Sequence, residues 1–215
     1  MVVARQLHLV RHGEVHNPER VLYGRLPGYG LSELGRTMAA AAADDLAARG
    51  SYYVALYVSP LQRARESAEP VAVALGLAAQ VESRIVEPSN HFEGKRMRGK
   101  GSALTDPRNW PFLLNPLRPS WGESYRSIAD RMIAAMNAAW DAEDDGDIVM
   151  VSHQLPIWMV HRALAGQRLW HDPRTRRCGL SSVTSFSRFG GTFVETGYAE
   201  PAATLASSAT DVGAV

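Results

Sequence analysis

Short apolar runs and amphipathic stretches succeed one another along this chain. Leu7-His8-Leu9-Val10 is a mostly apolar run that stops at Arg11-His12-Gly13-Glu14. A run of that length, closed by charge and glycine, reads as a buried strand ending in a loop. Val54-Ala55-Leu56-Tyr57-Val58 and Ile148-Val149-Met150-Val151 repeat the pattern, passing straight into Ser59-Pro60-Leu61-Gln62-Arg63 and Ser152-His153-Gln154. Helices are predicted over 32–49, 60–75, 123–142 and 154–166. The second has Ser59 as N-cap, Pro60 at the first helical position and Gln62 three residues after the cap, a strong helix start. Val183 to Phe186 and Thr192 to Tyr198 flank Gly190-Gly191, a hairpin signature. Strands near 6–10, 54–58, 148–151 and 183–187 alternating with helices predict an α/β fold, a three-layer α/β/α sandwich with a mainly parallel central sheet.

Composition narrows the class. At 215 residues the chain fits one domain with a real core. We expect that domain over 1–198, with an irregular segment at about 88–122, and a loose tail over 199–215, which is rich in Ala, Ser and Thr. A net charge of +1 gives no case for nucleic-acid or membrane attraction. No stretch approaches the roughly 20 apolar residues of a membrane span. Cys178 is alone, so no internal disulfide can form, and a reducing compartment is expected. The N-terminus carries no apolar core of a secretory signal. The expectation is a soluble, cytoplasmic protein, with homo-oligomerisation left open.

The three strand ends collect Arg11 and His12, Arg63, and His153. Open α/β sheets gather ligands at the carboxyl ends of their strands. Phosphoryl transfer asks for a nucleophile, with the rest of catalysis being positioning and charge stabilisation. An imidazole with an ordinary pKa of roughly 6.5 can be neutral and nucleophilic near pH 7. Arginine forks match phosphoryl oxygens. His12 is thus the candidate nucleophile, Arg11 and Arg63 can bind the phosphoryl oxygens, and His153 can donate to the phosphate or hold it in line. His8, His12 and His16 are spaced by four, but the first lies in a predicted strand, so no shared face and no metal site is expected. The segment 88–122 holds Lys95, Arg96, Arg98, Lys100, Arg108 and Arg118 against Glu93 and Asp106. It reads either as a basic lid for an anionic substrate or as a solvated loop. The acidic stretch Asp141 to Asp147 reads as a solvated helix end, and His161 as a surface residue.

In this set the chain resembles the histidine phosphatase superfamily, the phosphoglycerate-mutase-like clan. The matching pieces are Leu9-Val10-Arg11-His12-Gly13-Glu14 with Asn17, Gly24, Leu31-Ser32-Glu33-Leu34-Gly35, Ser59-Pro60-Leu61-Gln62-Arg63-Ala64, Gly122-Glu123-Ser124 and Val151-Ser152-His153. They run in family order over roughly three quarters of the chain. The resemblance implies a phosphoglycerate-mutase-like fold, phosphorylation of His12, and a pocket completed by Arg11, Arg63 and His153. It also implies phosphate or substrate contacts from Asn17, Gly24 and the backbone of Gln154, and a lid insertion over the site at about 88–122; because Arg11, Arg63 and His153 supply the positive charge, neither cofactor nor metal is expected. Relatives place an acid after the strand that follows the Arg63 helix. Glu87, behind Ile85-Val86, fits, and Glu93 in Phe92-Glu93-Gly94 is the alternative. Two departures bear on substrate: Val15 where relatives often carry threonine, and Tyr29 where many carry aspartate. The expected activity is hydrolysis of a small phosphorylated anion. Phosphoglycerate mutase-type transfer is one alternative, although the Glu-Arg-x-Tyr-Gly stretch of such relatives is absent. A non-catalytic binding protein on the same fold is the other.

Overall fold

The computed structural model describes residues 5–97, 99, 102–113 and 122–211. Among them, six strands form one sheet in the order β3-β2-β4-β1-β5-β6. These are β1 (Leu7–Arg11), β2 (Tyr53–Val58), β3 (Ala79–Val81), β4 (Asp147–Ser152), β5 (Val183–Phe189) and β6 (Thr192–Ala199). The four strands from β3 to β1 run parallel, and β5 and β6 add an antiparallel edge. The helices are α1 (Glu33–Ala48), α2 (Gln62–Leu75), α3 (Trp110–Leu113), α4 (Tyr125–Ala142), α5 (Gln154–Leu164) and α6 (Ala203–Ala206).

Side-chain parity divides the core in two. Leu7, Leu9, Ile148 and Met150 face one side and pack with Met132, Met136, Ile157 and Val160 of α4 and α5. Val10, Val149 and Val151 face the other and pack with Ala42, Leu46, Ala64 and Val71 of α1 and α2. Successive residues of a strand point to opposite faces, so β1 and β4 must be apolar at almost every position to serve both layers. This is the α/β/α sandwich expected from the pattern. Gly190 (φ +55) and Gly191 (φ +83) close the β5–β6 hairpin between the paired Phe189 and Thr192. A two-residue turn with positive φ at both centres is the primed type that matches strand twist.

Three local expectations differ from the structure. The N-cap of α2 is Leu61, not Ser59, and Pro60 lies outside the helix; the Ser59 hydroxyl instead meets His153. Asp147 is not a solvated helix end. It opens β4, is buried, accepts from Gln6 N–H at 2.7 Å and sits 3.3 Å from His8 Nε2. His161 is packed flat on Trp158 with ring centroids 4.6 Å apart, and its Nδ1 lies 2.5 Å from Glu195. β3 was not anticipated. Its three residues are exposed, and the only β-branched one is Val81. The segment after β6 carries α6 and further contacts at Thr210 and Asp211; residues 212–215 lie outside the described part.

Candidate active site

Because β4 lies between β1 and β2, three polar strand ends become neighbours at one edge of the sheet. Arg11 is in register with Ser152. His12 N–H donates to Ser152 O at 3.1 Å, and Ser59 N–H to Val151 O at 3.0 Å. Arg11, His12, Arg63, Glu87 and His153 all converge here, and all are buried. The His12 and His153 rings stand 5.2 Å apart between centroids.

The His12 tautomer follows from one bond. Its Nδ1 lies 2.7 Å from Gly13 O, and a carbonyl only accepts, so Nδ1 carries the proton and Nε2 the lone pair. Burial, reinforced by the charges of Arg63 and Arg11, pushes the His12 pKa well below its ordinary 6.5. The imidazole is therefore neutral at pH 7. Arg63 Nε lies 3.4 Å from His12 Nε2, and Arg63 Nη2 donates to Gly24 O at 2.8 Å. The Tyr23 ring lies 4.7 Å beneath the Arg63 guanidinium, and Tyr29 stacks on Tyr23 at 5.4 Å. Tyr29 thus extends an aromatic floor under the arginine.

His153 and Glu87 form a second buried pair. His153 Nε2 lies 2.7 Å from Ser59 Oγ, and Nδ1 lies 3.6 Å from Glu87 Oε2. Burial pushes Glu87 from its ordinary 4.5 up to about 7, outweighing the opposing charges of Arg63, Arg176 and Arg11. Burial, then the charge of Arg63, drives His153 well down. At neutral pH the two face each other as a neutral imidazole and a partly protonated carboxyl, not as an ion pair. Both Glu87 oxygens and His153 Nδ1 are buried without a hydrogen-bond partner among the described residues, a condition native proteins rarely tolerate outside functional sites. Glu93 is placed otherwise. Its Oε1 accepts from Asn90 N–H at 3.0 Å and Arg25 N–H at 3.1 Å, joining two loops.

Packing fixes these groups. Gly13 N–H donates to Ser67 Oγ at 3.1 Å, and the same hydroxyl donates to Arg63 O at 2.8 Å, tying the His12 loop to α2. Ser152 Oγ donates to Ile85 O at 2.7 Å, holding the segment that carries Glu87 against β4. Gly13 lies so close to α1 that a Cβ there would meet Gly35 O at 2.3 Å; one on Gly35 would meet Glu14 O at 2.0 Å. Only glycine fits at either position.

The remaining expected residues take different places. Gly24 is inside the site through its carbonyl contact with Arg63. Asn17 closes a turn, with Nδ2 donating to Val21 O at 2.8 Å and Oδ1 accepting from Val21 N–H at 3.2 Å. Gln154 opens α5 behind His153, and its Oε1 accepts from Arg176 at 3.3 Å. Lys95 reaches Asn109 Oδ1 at 3.3 Å, Arg96 donates to Glu19 O at 2.9 Å, and Arg108 pairs with Asp106. Arg98, Lys100 and Arg118 lie outside the described residues. Sequence reasoning missed Tyr23, Arg176 and Asp211. Asp211 holds Arg11 from the far end of the chain, in a stretch whose composition gave no sign of a role.

The fold is that of the histidine phosphatase superfamily. The model of the histidine phosphatase superfamily (branch 1) matches residues 7–200, and the chain belongs to that superfamily. It is 50% identical over 198 residues to the Uncharacterized protein Rv0525 of Mycobacterium tuberculosis, covering 92% of this chain and 97% of that one. It is 29% identical to a Probable phosphoglycerate mutase GpmB of Escherichia coli, over 83% of this chain and 84% of that one. Among solved structures it is similar to the mycobacterial glucosyl-3-phosphoglycerate phosphatase Rv2419c, with TM-score 0.72 and 25% identity, covering 90% of this chain and 97% of that one.

Proposed function

We propose that this chain is a phosphomonoesterase that works through a phosphohistidine on His12. The observation that carries the reading is His12 Nε2, a lone pair held next to Arg63 in a neutral, buried imidazole. Nε2 attacks phosphorus, the P–O bond to the leaving group breaks, and the leaving oxygen takes a proton from Glu87. Arg11, Arg63 and His153 meet the charge that develops on the phosphoryl oxygens. Water then attacks the phosphohistidine, Glu87 removes its proton, and phosphate leaves with His12 restored.

Glu87 suits the acid role because a group with a pKa near the working pH both holds and releases its proton readily. Its value of about 7 meets that condition, whereas Glu93 spends an oxygen on two backbone donors. The substrate class is a small phosphorylated anion. Charge on the phosphoryl oxygens is met by protein side chains, so the steps invoke neither metal nor cofactor. The reading is tested with a chromogenic phosphomonoester and a panel of phosphorylated metabolites. Wild-type protein releases phosphate from at least one, and His12→Ala abolishes release. Full activity in His12→Ala overturns it.

A further inference from the structure

Asp211 is the least expected group in the site. Arg11 Nη1 donates to Asp211 Oδ2 at 2.8 Å and Nη2 to Oδ1 at 2.5 Å. Two parallel bonds from one guanidinium to two oxygens are the geometry the same fork would offer a phosphoryl group. The neighbouring residue is held as well. Thr210 N–H donates to Glu14 Oε1 at 2.5 Å, and the other Glu14 oxygen accepts from Ser32 Oγ. Two successive residues after β6 therefore clamp onto two residues of the nucleophile segment.

The chemistry separates two roles for Asp211. A carboxyl that protonates a leaving group must hold a proton. Burial raises the Asp211 pKa, but the charge and hydrogen bonds of Arg11 more than offset it, and the net position is below the ordinary 3.8. Both oxygens accept from Arg11, so the group is an ionised acceptor with nothing to donate. Its burial is also one-sided: the Arg11 side chain is fully covered, while that of Asp211 keeps 40% exposure. The carboxylate sits at the rim, where it can leave without opening the core.

We propose that residues 200–211 form a strap whose Asp211 carboxylate occupies the Arg11 half of the phosphoryl pocket, is displaced by the incoming phosphoryl group, and so sets the affinity for phosphorylated ligands. The inference rests on the reading of Arg11 as a phosphoryl-binding group. Apparent affinity scales with the fraction of molecules in the open state, so a strap closed nine times in ten weakens binding about tenfold.

The test compares full-length wild type with Asp211→Asn and Thr210→Pro. The first removes the competing charge at constant size; the second removes the N–H that reaches Glu14 and stiffens the chain beside it, breaking the second clamp. Inorganic phosphate is titrated calorimetrically into each, and KM and kcat are measured with a chromogenic phosphomonoester. Both variants should bind phosphate more tightly, Asp211→Asn by about three- to tenfold, with KM falling in parallel. An unchanged or weaker phosphate affinity in Asp211→Asn overturns the strap, as does a fall in kcat at constant KM. If wild type and both variants bind no phosphate at all, the failure lies with the phosphoryl-binding reading of Arg11 and takes the strap with it. Equal binding by all three removes the strap alone.

Discussion

Replacing Glu87 with glutamine should make the protein's stability less sensitive to rising pH while disabling catalysis. The Glu87 carboxyl is buried and titrates at about 7 instead of 4.5. Between those values the folded chain keeps a proton that the unfolded chain has released, so stability falls as pH rises through the window and levels off above it. At about 1.4 kcal/mol per unit, the span costs about 3 kcal/mol at pH 8, and under about 1 kcal/mol at pH 5. Glutamine carries no charge at any pH and escapes this cost. Its buried amide carries its own penalty, equal at both pH values, so the informative quantity is the difference between them. For a chain of this size each kcal/mol moves Tm by about 2–4 °C. The Tm of Glu87→Gln minus that of wild type should therefore be roughly 4–10 °C larger at pH 8 than at pH 5. Scanning calorimetry at the two pH values measures this directly. In parallel, kcat with a poor leaving group should fall about 10²–10⁴-fold. A Tm difference that does not change with pH would show that Glu87 ionises normally, and the acid assignment would lose its physical basis.

Three further outcomes follow from the same geometry. With a poor leaving group, wild-type kcat should decline above about pH 7 as Glu87 loses its proton, and a profile flat to pH 9 would contradict this. Gly35→Ala forces a Cβ to within 2.0 Å of Glu14 O, and urea unfolding should register a loss of about 1–3 kcal/mol; an unchanged midpoint would mean the approach is slack. Ser59→Ala removes the hydroxyl 2.7 Å from His153 Nε2 and should lower kcat about tenfold, the worth of one hydrogen bond. Recovery in Ser59→Thr would mark Ser59 as a positioning residue for His153.

Much of this architecture is legible in the sequence because the central strands serve two apolar layers at once. Val149 and Met150 must both be apolar, and the run stops where the sheet ends and the polar residues begin. That is why His12, Arg63 and His153 could be grouped before any fold was known. What escaped notice was set by contacts distant in sequence. Ser59 looks like a helix cap locally, yet its hydroxyl is drawn to His153, 94 residues away. Asp147 belongs to an acidic stretch, and its burial becomes intelligible only with His8 beside it. Asp211 lies in a stretch of small residues, and nothing short of the fold brings it to Arg11, 200 residues earlier. Glu87 and Glu93 are alike as letters; one is buried with unmet oxygens, the other binds two loop amides.

The central claim is a covalent bond between His12 Nε2 and phosphorus, and trapping it is the most direct test. A phosphoramidate is labile to acid and stable to base, the reverse of a serine phosphoester. Wild-type protein mixed with substrate and quenched with base within milliseconds should carry one acid-labile phosphoryl group, which peptide mapping assigns to His12. Glu87→Gln should accumulate that species with an activated substrate, because its hydrolysis lacks the group that activates water. A phosphoryl group mapped to any other residue, or rapid turnover with no trapped intermediate in either protein, would contradict the account.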